Sequence, residues 1–345
     1  MNWKLWTGLL ISTLFVFLAL RNVDMARMWA VIKSADLFFL FMVIVLTFFQ
    51  FVVRAWRWRI FLEPIKETGF LNRLSTILIG FGANCIFPAR LGEFIRANYL
   101  GHTEGISGSS TFGTLVVERL FDGFTLLLIL MIGLIGTNFA GEWRIISGGL
   151  RTTGFFLLFL YIIFILILVG FKYKTRRFMD LLNRLLFFIP SHLRPKIMET
   201  IWNFSRGIVL VRNPFKWFQI IFYSLLIWFV NLYQVEMIER ALGLELPFIA
   251  AFLIMAMASI GVMIPSAPGY IGTFHLSVLY GFLFYGIGHE EALSAAVLWH
   301  GVVFFPTLIF GLMAFLLVQM SFGRPSGDPG VLKQGLGDTL VQNRK

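Results

Sequence analysis

Long apolar segments recur along the whole chain, at roughly 5–20, 37–53, 111–136, 150–171, 216–236, 246–264, 272–288 and 292–319. About 20 apolar residues in a helix span the ~30 Å hydrocarbon core of a bilayer. The expected fold is an all-α polytopic membrane protein with about eight transmembrane helices. Two shorter apolar pieces, near 71–87 and 264–272, carry Pro and Gly where a simple span would not, and are read as re-entrant, broken half-helices. Of the 345 residues 58% are hydrophobic and 14% charged, too apolar for a water-soluble core and too hydrophobic for a disordered chain. The single Cys85 excludes a disulfide scaffold. Lys4 precedes the first segment and no small-residue cleavage site follows it, so it is read as a retained helix. Between Val23 and Ala35, helical spacing of Met25, Met28, Trp29 and Ile32 opposite Arg27 and Lys33 fits a helix on the membrane surface or an ordinary loop helix.

The net charge of +11 is assigned to topology rather than to nucleic acid, because Lys and Arg collect in cytoplasmic loops. Arg54, Arg57, Arg59, Lys66 and Arg73 follow the second segment, and a second basic stretch from Lys172 to Lys216 follows the fourth. Placing both inside the cell makes 71–100 a re-entrant hairpin and puts both termini in the cytoplasm of a multi-pass plasma-membrane protein. The organisation expected is a transmembrane domain over 1–320, with a cytoplasmic basic loop at about 172–215, and a disordered cytoplasmic tail over 321–345.

Charges inside the apolar region are the candidates for function. Arg90, Glu93 and Arg96 fall in one cluster and Glu118, Arg119 and Asp122 in another. A charge at the bilayer centre costs roughly 2.5–3.5 kcal/mol, so these side chains face protein or water. Their charges cancel, three basic against three acidic, and their helical spacing favours pairing. One reading is an ion-pair network that only clamps helices. The other is an anion site, supported by the breaks beside the charges: Pro88 and Gly92 in the first, Pro265, Pro268, Gly269 and Gly272 in the second. Proline suits the first turn of a half-helix, whose positive N-terminal end attracts anions. Paired breaks in two halves of a membrane protein point to a midplane site between inverted repeats; two unrelated kinked loops are the alternative.

Arg54-Ala55-Trp56-Arg57-Trp58-Arg59, the stretch Asn84 to Arg96 with Pro88-Ala89-Arg90-Leu91-Gly92-Glu93, Val117-Glu118-Arg119-Leu120-Phe121-Asp122-Gly123 and Pro268-Gly269-Tyr270-Ile271-Gly272 together resemble the lysylphosphatidylglycerol synthase transmembrane-region family, also described as flippase-like integral membrane proteins. The resemblance covers about residues 1–320. In the synthases this region is a lipid flippase followed by a soluble aminoacyl-transferase domain, which is not expected here. The resemblance therefore implies the transport half: binding and moving an anionic phospholipid or polyprenyl-phosphate lipid, with the headgroup at Arg90, Glu93, Arg96, Glu118, Arg119 and Asp122. The alternatives are a membrane glycosyltransferase or other lipid-modifying enzyme, or an accessory subunit of a separately encoded one. No cofactor or metal is expected, because no phosphate-binding Gly-Lys-Ser/Thr loop occurs and His102, His192, His275, His289 and His300 lack metal-ligand spacing.

Overall fold

The computed structural model describes residues 3–21, 23–87, 90–137, 142–173 and 213–322, with isolated positions at 195, 198–200 and 202. Among the described residues every regular element is helical: α1 (Trp3–Leu20), α2 (Met25–Lys33), α3 (Leu37–Leu62), α4 (Phe70–Ile86), α5 (Gly92–Glu104), α6 (Gly108–Gly136), α7 (Glu142–Tyr173), α8 (Pro214–Ala241), α9 (Ile249–Met263), α10 (Thr273–Leu283) and α11 (His289–Phe322), with a 3-10 turn at Pro268–Tyr270. Local chemistry sets several boundaries. The Asp36 carboxylate accepts the Phe38 N–H to start α3, Asn213 does the same for Phe215 ahead of Pro214 in α8, and Gly105 ends α5 at φ 63°. Three helices are long and apolar enough to cross a membrane, Leu37–Leu62, Pro214–Ala241 and His289–Met320. Large apolar side chains such as Phe38, Phe41, Phe159 and Leu317 stand exposed on the outside, as a lipid-facing surface requires. The α2 helix expected over 25–33 docks on the start of α11, where Ser294 donates to the Met28 carbonyl and Arg27 pairs with Glu291 at 2.9 Å. Pro88, the basic connection apart from its ends and isolated positions, and the tail beyond Phe322 lie outside the described residues.

The helices are arranged as two inverted copies. α3 and α8 pack antiparallel: the Asp36 N–H donates to the Ala241 carbonyl at one end, and Lys216 meets Glu63 at 2.7 Å at the other. Two hydrogen bonds between them are mates under the same sequence offset, Arg57 Nη1 to Ser224 Oγ at 2.9 Å and Gln234 Nε2 to Thr47 Oγ1 at 3.0 Å. Each copy continues with a helical hairpin and a long helix, α4, α5 and α6 in the first, α9, α10 and α11 in the second. The long helix of each copy crosses the hairpin of the other, α11 on α4 and α6 on α9. Both crossings use glycine. A Cβ on Gly82 would lie 2.9 Å from the Gly311 Cα, and one on Gly133 would lie 2.8 Å from the Leu253 N. Small residues permit such backbone contact in apolar surroundings.

The apolar segments at 246–264 and 272–288, each long enough on the sequence for a span of its own, form the two arms of the second hairpin. α9 has 15 residues and α10 has 11, about 22 Å and 16 Å at 1.5 Å per residue, so neither arm alone crosses ~30 Å. Gly261 faces Thr273 and Ser277, Gly281 faces Ile254, Ile249 abuts Gly136, and the Tyr285 hydroxyl bonds Thr137 at 2.7 Å, so the chain returns to the side it entered. Hydropathy reports apolarity and not depth, and the full-crossing and hairpin alternatives have the same parity. The first hairpin opens on the opposite side, with Asn72 Nδ2 donating to Glu104 Oε1 at 2.7 Å across its base.

Gly82→Val is expected to force α4 and α11 apart and cost about 1–3 kcal/mol, read as a lower melting temperature in detergent. Gly301→Ala on α11, where a Cβ meets nothing within 4 Å, should leave it unchanged. Equal melting of the two variants would contradict a backbone-to-backbone crossing.

Candidate functional site

α3 runs past residue 53 to Leu62 and carries Arg54 and Arg57 into the protein, 7% and 0% exposed. This corrects the assignment of both to a cytoplasmic loop. Arg73, placed in the same loop, is also buried, its Nε donating to the Ala55 carbonyl at 3.0 Å and its Nη1 to Thr68 Oγ1 at 2.9 Å. The positive-inside rule counts arginines near span ends and has no means of separating those that water solvates from those that carboxylates solvate. The overlooked signal is the i, i+3 spacing of Arg54 and Arg57 in phase with the buried Phe51, Trp58 and Phe61.

Four arginines from three helices converge on α6. Arg96 of α5 grips Glu118 with both terminal nitrogens, at 3.0 and 2.9 Å, while its guanidinium lies 3.9 Å from the Trp58 ring centroid. Arg57 donates to Asp122 at 2.7 Å and approaches Glu118 at 3.5 Å. Arg54 reaches Asp122 at 3.3 Å, and Arg119 reaches Glu118, Asp122 and Glu93 at 2.8, 3.3 and 3.7 Å. Bidentate, charge-assisted contacts of this kind are the strong ones, and they compensate desolvation only while every partner is present.

The six charges expected to form the site thus come together, but in two layers. Arg96 and Glu118, with Arg57, are 0–1% exposed and form a clamp behind the site. Arg90, Glu93, Arg119 and Asp122, with Arg54, line a cavity of about 490 Å³, a volume suited to a small ligand or a headgroup. Counting Arg54, Arg57, Arg90, Arg96 and Arg119 against Glu93, Glu118 and Asp122, five positive charges face three negative, an excess of two. The local neutrality expected from the sequence does not hold, because two of the arginines arrive from α3.

The tips of both hairpins reach this cavity. Arg90 and Tyr270 are the two non-glycine residues with positive φ among the described residues, at 54° and 60°. They occupy matching positions, Arg90-Leu91-Gly92-Glu93-Phe94 beside Tyr270-Ile271-Gly272-Thr273-Phe274. Strained backbone in such pairs is a mark of functional sites. The match puts Pro268, and not Pro265, opposite Pro88; Pro265 is exposed in the non-helical link that follows α9. Arg90 Nη2 donates to the Val262 carbonyl at 3.4 Å, joining one tip to the other hairpin. The Gly92 N–H donates to Asn84 Oδ1 at 2.8 Å, and a Cβ there would overlap the Gly80 carbonyl. Gly272, at φ 91°, donates to His275 Nδ1 at 3.3 Å, and His300 Nε2 donates to the Gly269 carbonyl at 2.8 Å. α5 and α10 therefore start at the cavity, with their N-terminal ends toward it. Among the described residues no three His, Cys, Asp or Glu side chains are grouped to hold a metal.

Residues 5–311 match the profile of the lysylphosphatidylglycerol synthase transmembrane region. The chain belongs to that family. Its relatives include a UPF0104 membrane protein of Methanocaldococcus jannaschii, 22% identical over 92% of this chain and 96% of the relative, and one of Pyrococcus horikoshii, 24% identical over 91% and 98%. The chain is also 24% identical to the glycosyltransferase AglD of Haloferax volcanii over 91% of its own length, but spans only 54% of that protein. Family and helices together make this a membrane protein.

Proposed function

We propose that the protein binds the phosphate-bearing headgroup of an anionic phospholipid or polyprenyl-phosphate lipid in the cavity between its two repeats and passes it across the plasma membrane, with both termini in the cytoplasm. The observation that carries the reading is a cavity lined by Arg54, Arg90 and Arg119 against Glu93 and Asp122, in which Arg90 belongs to no ion pair among the described residues. A guanidinium without an anionic partner in a low-dielectric setting is costly, and two oxygens of a phosphate supply the bidentate acceptor that matches its planar fork. Arg119 and Arg54 stand beside it on the cavity wall and can share the anion, while Glu93 and Asp122 hold them when the phosphate departs. Acyl chains stay in the bilayer. The inverted repeat offers equivalent approaches from the two faces, as in transporters built this way.

Purified protein in liposomes should move a fluorescent phosphatidylglycerol to the outer leaflet faster than a fluorescent phosphatidylcholine, followed by dithionite quenching. Equal rates for the two would remove the anion site from the mechanism. The relation to AglD supports a second reading, a lipid-handling subunit for a separately encoded glycosyltransferase. Movement by the purified chain alone supports transport; movement only with an added partner supports the second reading.

A further inference from the structure

Resting on the lipid-phosphate reading of the cavity, we infer that the site also recognises an uncharged polyhydroxyl group attached to that phosphate. The two repeats line the cavity with different chemistry. Val53-Arg54-Ala55-Trp56-Arg57 of α3 corresponds to Val230-Asn231-Leu232-Tyr233-Gln234 of α8, the register fixed by the reciprocal hydrogen bonds of Arg57 and Gln234. Arginine in the first repeat is thus amide in the second, and Arg90 is answered by Tyr270. The charged half of the cavity suits a phosphate. The other half carries amides and aromatic faces and no charge.

Uncharged polar side chains lining the cavity, two on α8 and Gln50 on α3, lack partners. The side chains of Gln50 and Asn231, residues 8% and 7% exposed, make no hydrogen bond among the described residues, and neither does the indole N–H of Trp228, 7% exposed. All three line the cavity. Buried donors and acceptors without partners cost free energy that a ligand recovers. Amides present a donor and an acceptor together, as hydroxyls do, and aromatic faces cover the apolar side of a sugar or polyol ring. An ammonium headgroup would need carboxylates on the uncharged side; Asp122 is already held by Arg54, Arg57 and Arg119, and Glu93 belongs to the charged half, 3.7 Å from Arg119. A site built to bond hydroxyls discriminates strongly against ligands lacking them.

Native mass spectrometry of the detergent-solubilised full chain should show dioctanoyl phosphatidylinositol binding about tenfold or more tightly than dioctanoyl phosphatidylserine, which has the same net charge but an amino-acid headgroup; two or three neutral hydrogen bonds supply that factor. Asn231→Leu should abolish the preference and leave dioctanoyl phosphatidic acid binding unchanged, with Gln50→Leu as the second variant if the first fails to fold. A short isoprenyl phosphate with and without a glucosyl group identifies the source: a gain from the sugar places the polyol on a polyprenyl carrier, and a gain confined to phosphatidylinositol places it on a glycerolipid. Equal binding of phosphatidylinositol and phosphatidylserine, both above phosphatidylcholine, overturns this inference alone. No preference for any anionic lipid over phosphatidylcholine overturns the phosphate reading with it.

Discussion

Glu118→Gln is expected to lower stability by about 3–5 kcal/mol, the cost of leaving buried charge without its partner. Glu118 is fully buried and lies within 4 Å of Arg54, Arg57, Arg96 and Arg119, two of which donate hydrogen bonds to it. Glutamine keeps the shape and loses the charge, so Arg96 is left against the Trp58 ring with no anion. The measurement is a thermal melt or denaturant titration in detergent. Adding Arg96→Gln should restore part of the loss, because the double variant removes a charge of each sign. Absence of any rescue would mean that packing around the α5–α6 contact, and not ionic compensation, holds these helices.

Arg90→Gln is expected to act oppositely, sparing the fold and removing function. Arg90 contributes no ion pair among the described residues, only a long hydrogen bond to the Val262 carbonyl at 3.4 Å and one with the Tyr270 side chain, so the variant's melting temperature should stay close to that of the wild type. A charge-assisted hydrogen bond contributes about 1.5–3 kcal/mol, which corresponds to about a 10- to 100-fold loss of affinity for an anionic lipid. Transfer of labelled phosphatidylglycerol should fall in parallel. Arg90→Lys should retain part of the activity, keeping the charge and losing the bidentate geometry. Wild-type transfer by Arg90→Gln would assign the cavity arginines to structure alone. Glu118 and Arg90, adjacent clusters on the sequence, would then both belong to the clamp.

The division between these two residues explains what each level of description reveals. Arg90, Glu93, Arg96, Glu118, Arg119 and Asp122 stand out in an apolar chain because unpaired charge in hydrocarbon is prohibitive, and they do gather in one place. Their spacing does not tell which face of α5 and α6 looks toward space and which toward protein. Arg96 and Glu118 are sealed behind the wall that Arg90, Glu93, Arg119 and Asp122 help to form. Arg54 and Arg57 were hidden by their position at the end of an apolar run, where arginine usually marks a loop. Asn231, Gln234 and Trp228 carry no formal charge and so raise no alarm in a hydropathy profile, although they complete the cavity.

By itself the sequence determined that the chain is helical and lives in a bilayer, since apolar length and the demand for internal backbone hydrogen bonding leave little else. It also determined where helices must break, at Gly92 and at Pro268, Gly269 and Gly272, because proline and glycine act locally on the backbone. Tertiary structure alone decided that the two breaks meet. The reciprocal pairing of α3 with α8 and the crossings at Gly82 and Gly133 bring Arg90 and Tyr270 to one cavity, although 179 residues separate them in the sequence. Charge balance belongs to that same level. It depends on which side chains share a low-dielectric space, and only packing settled that five arginines share it with three carboxylates.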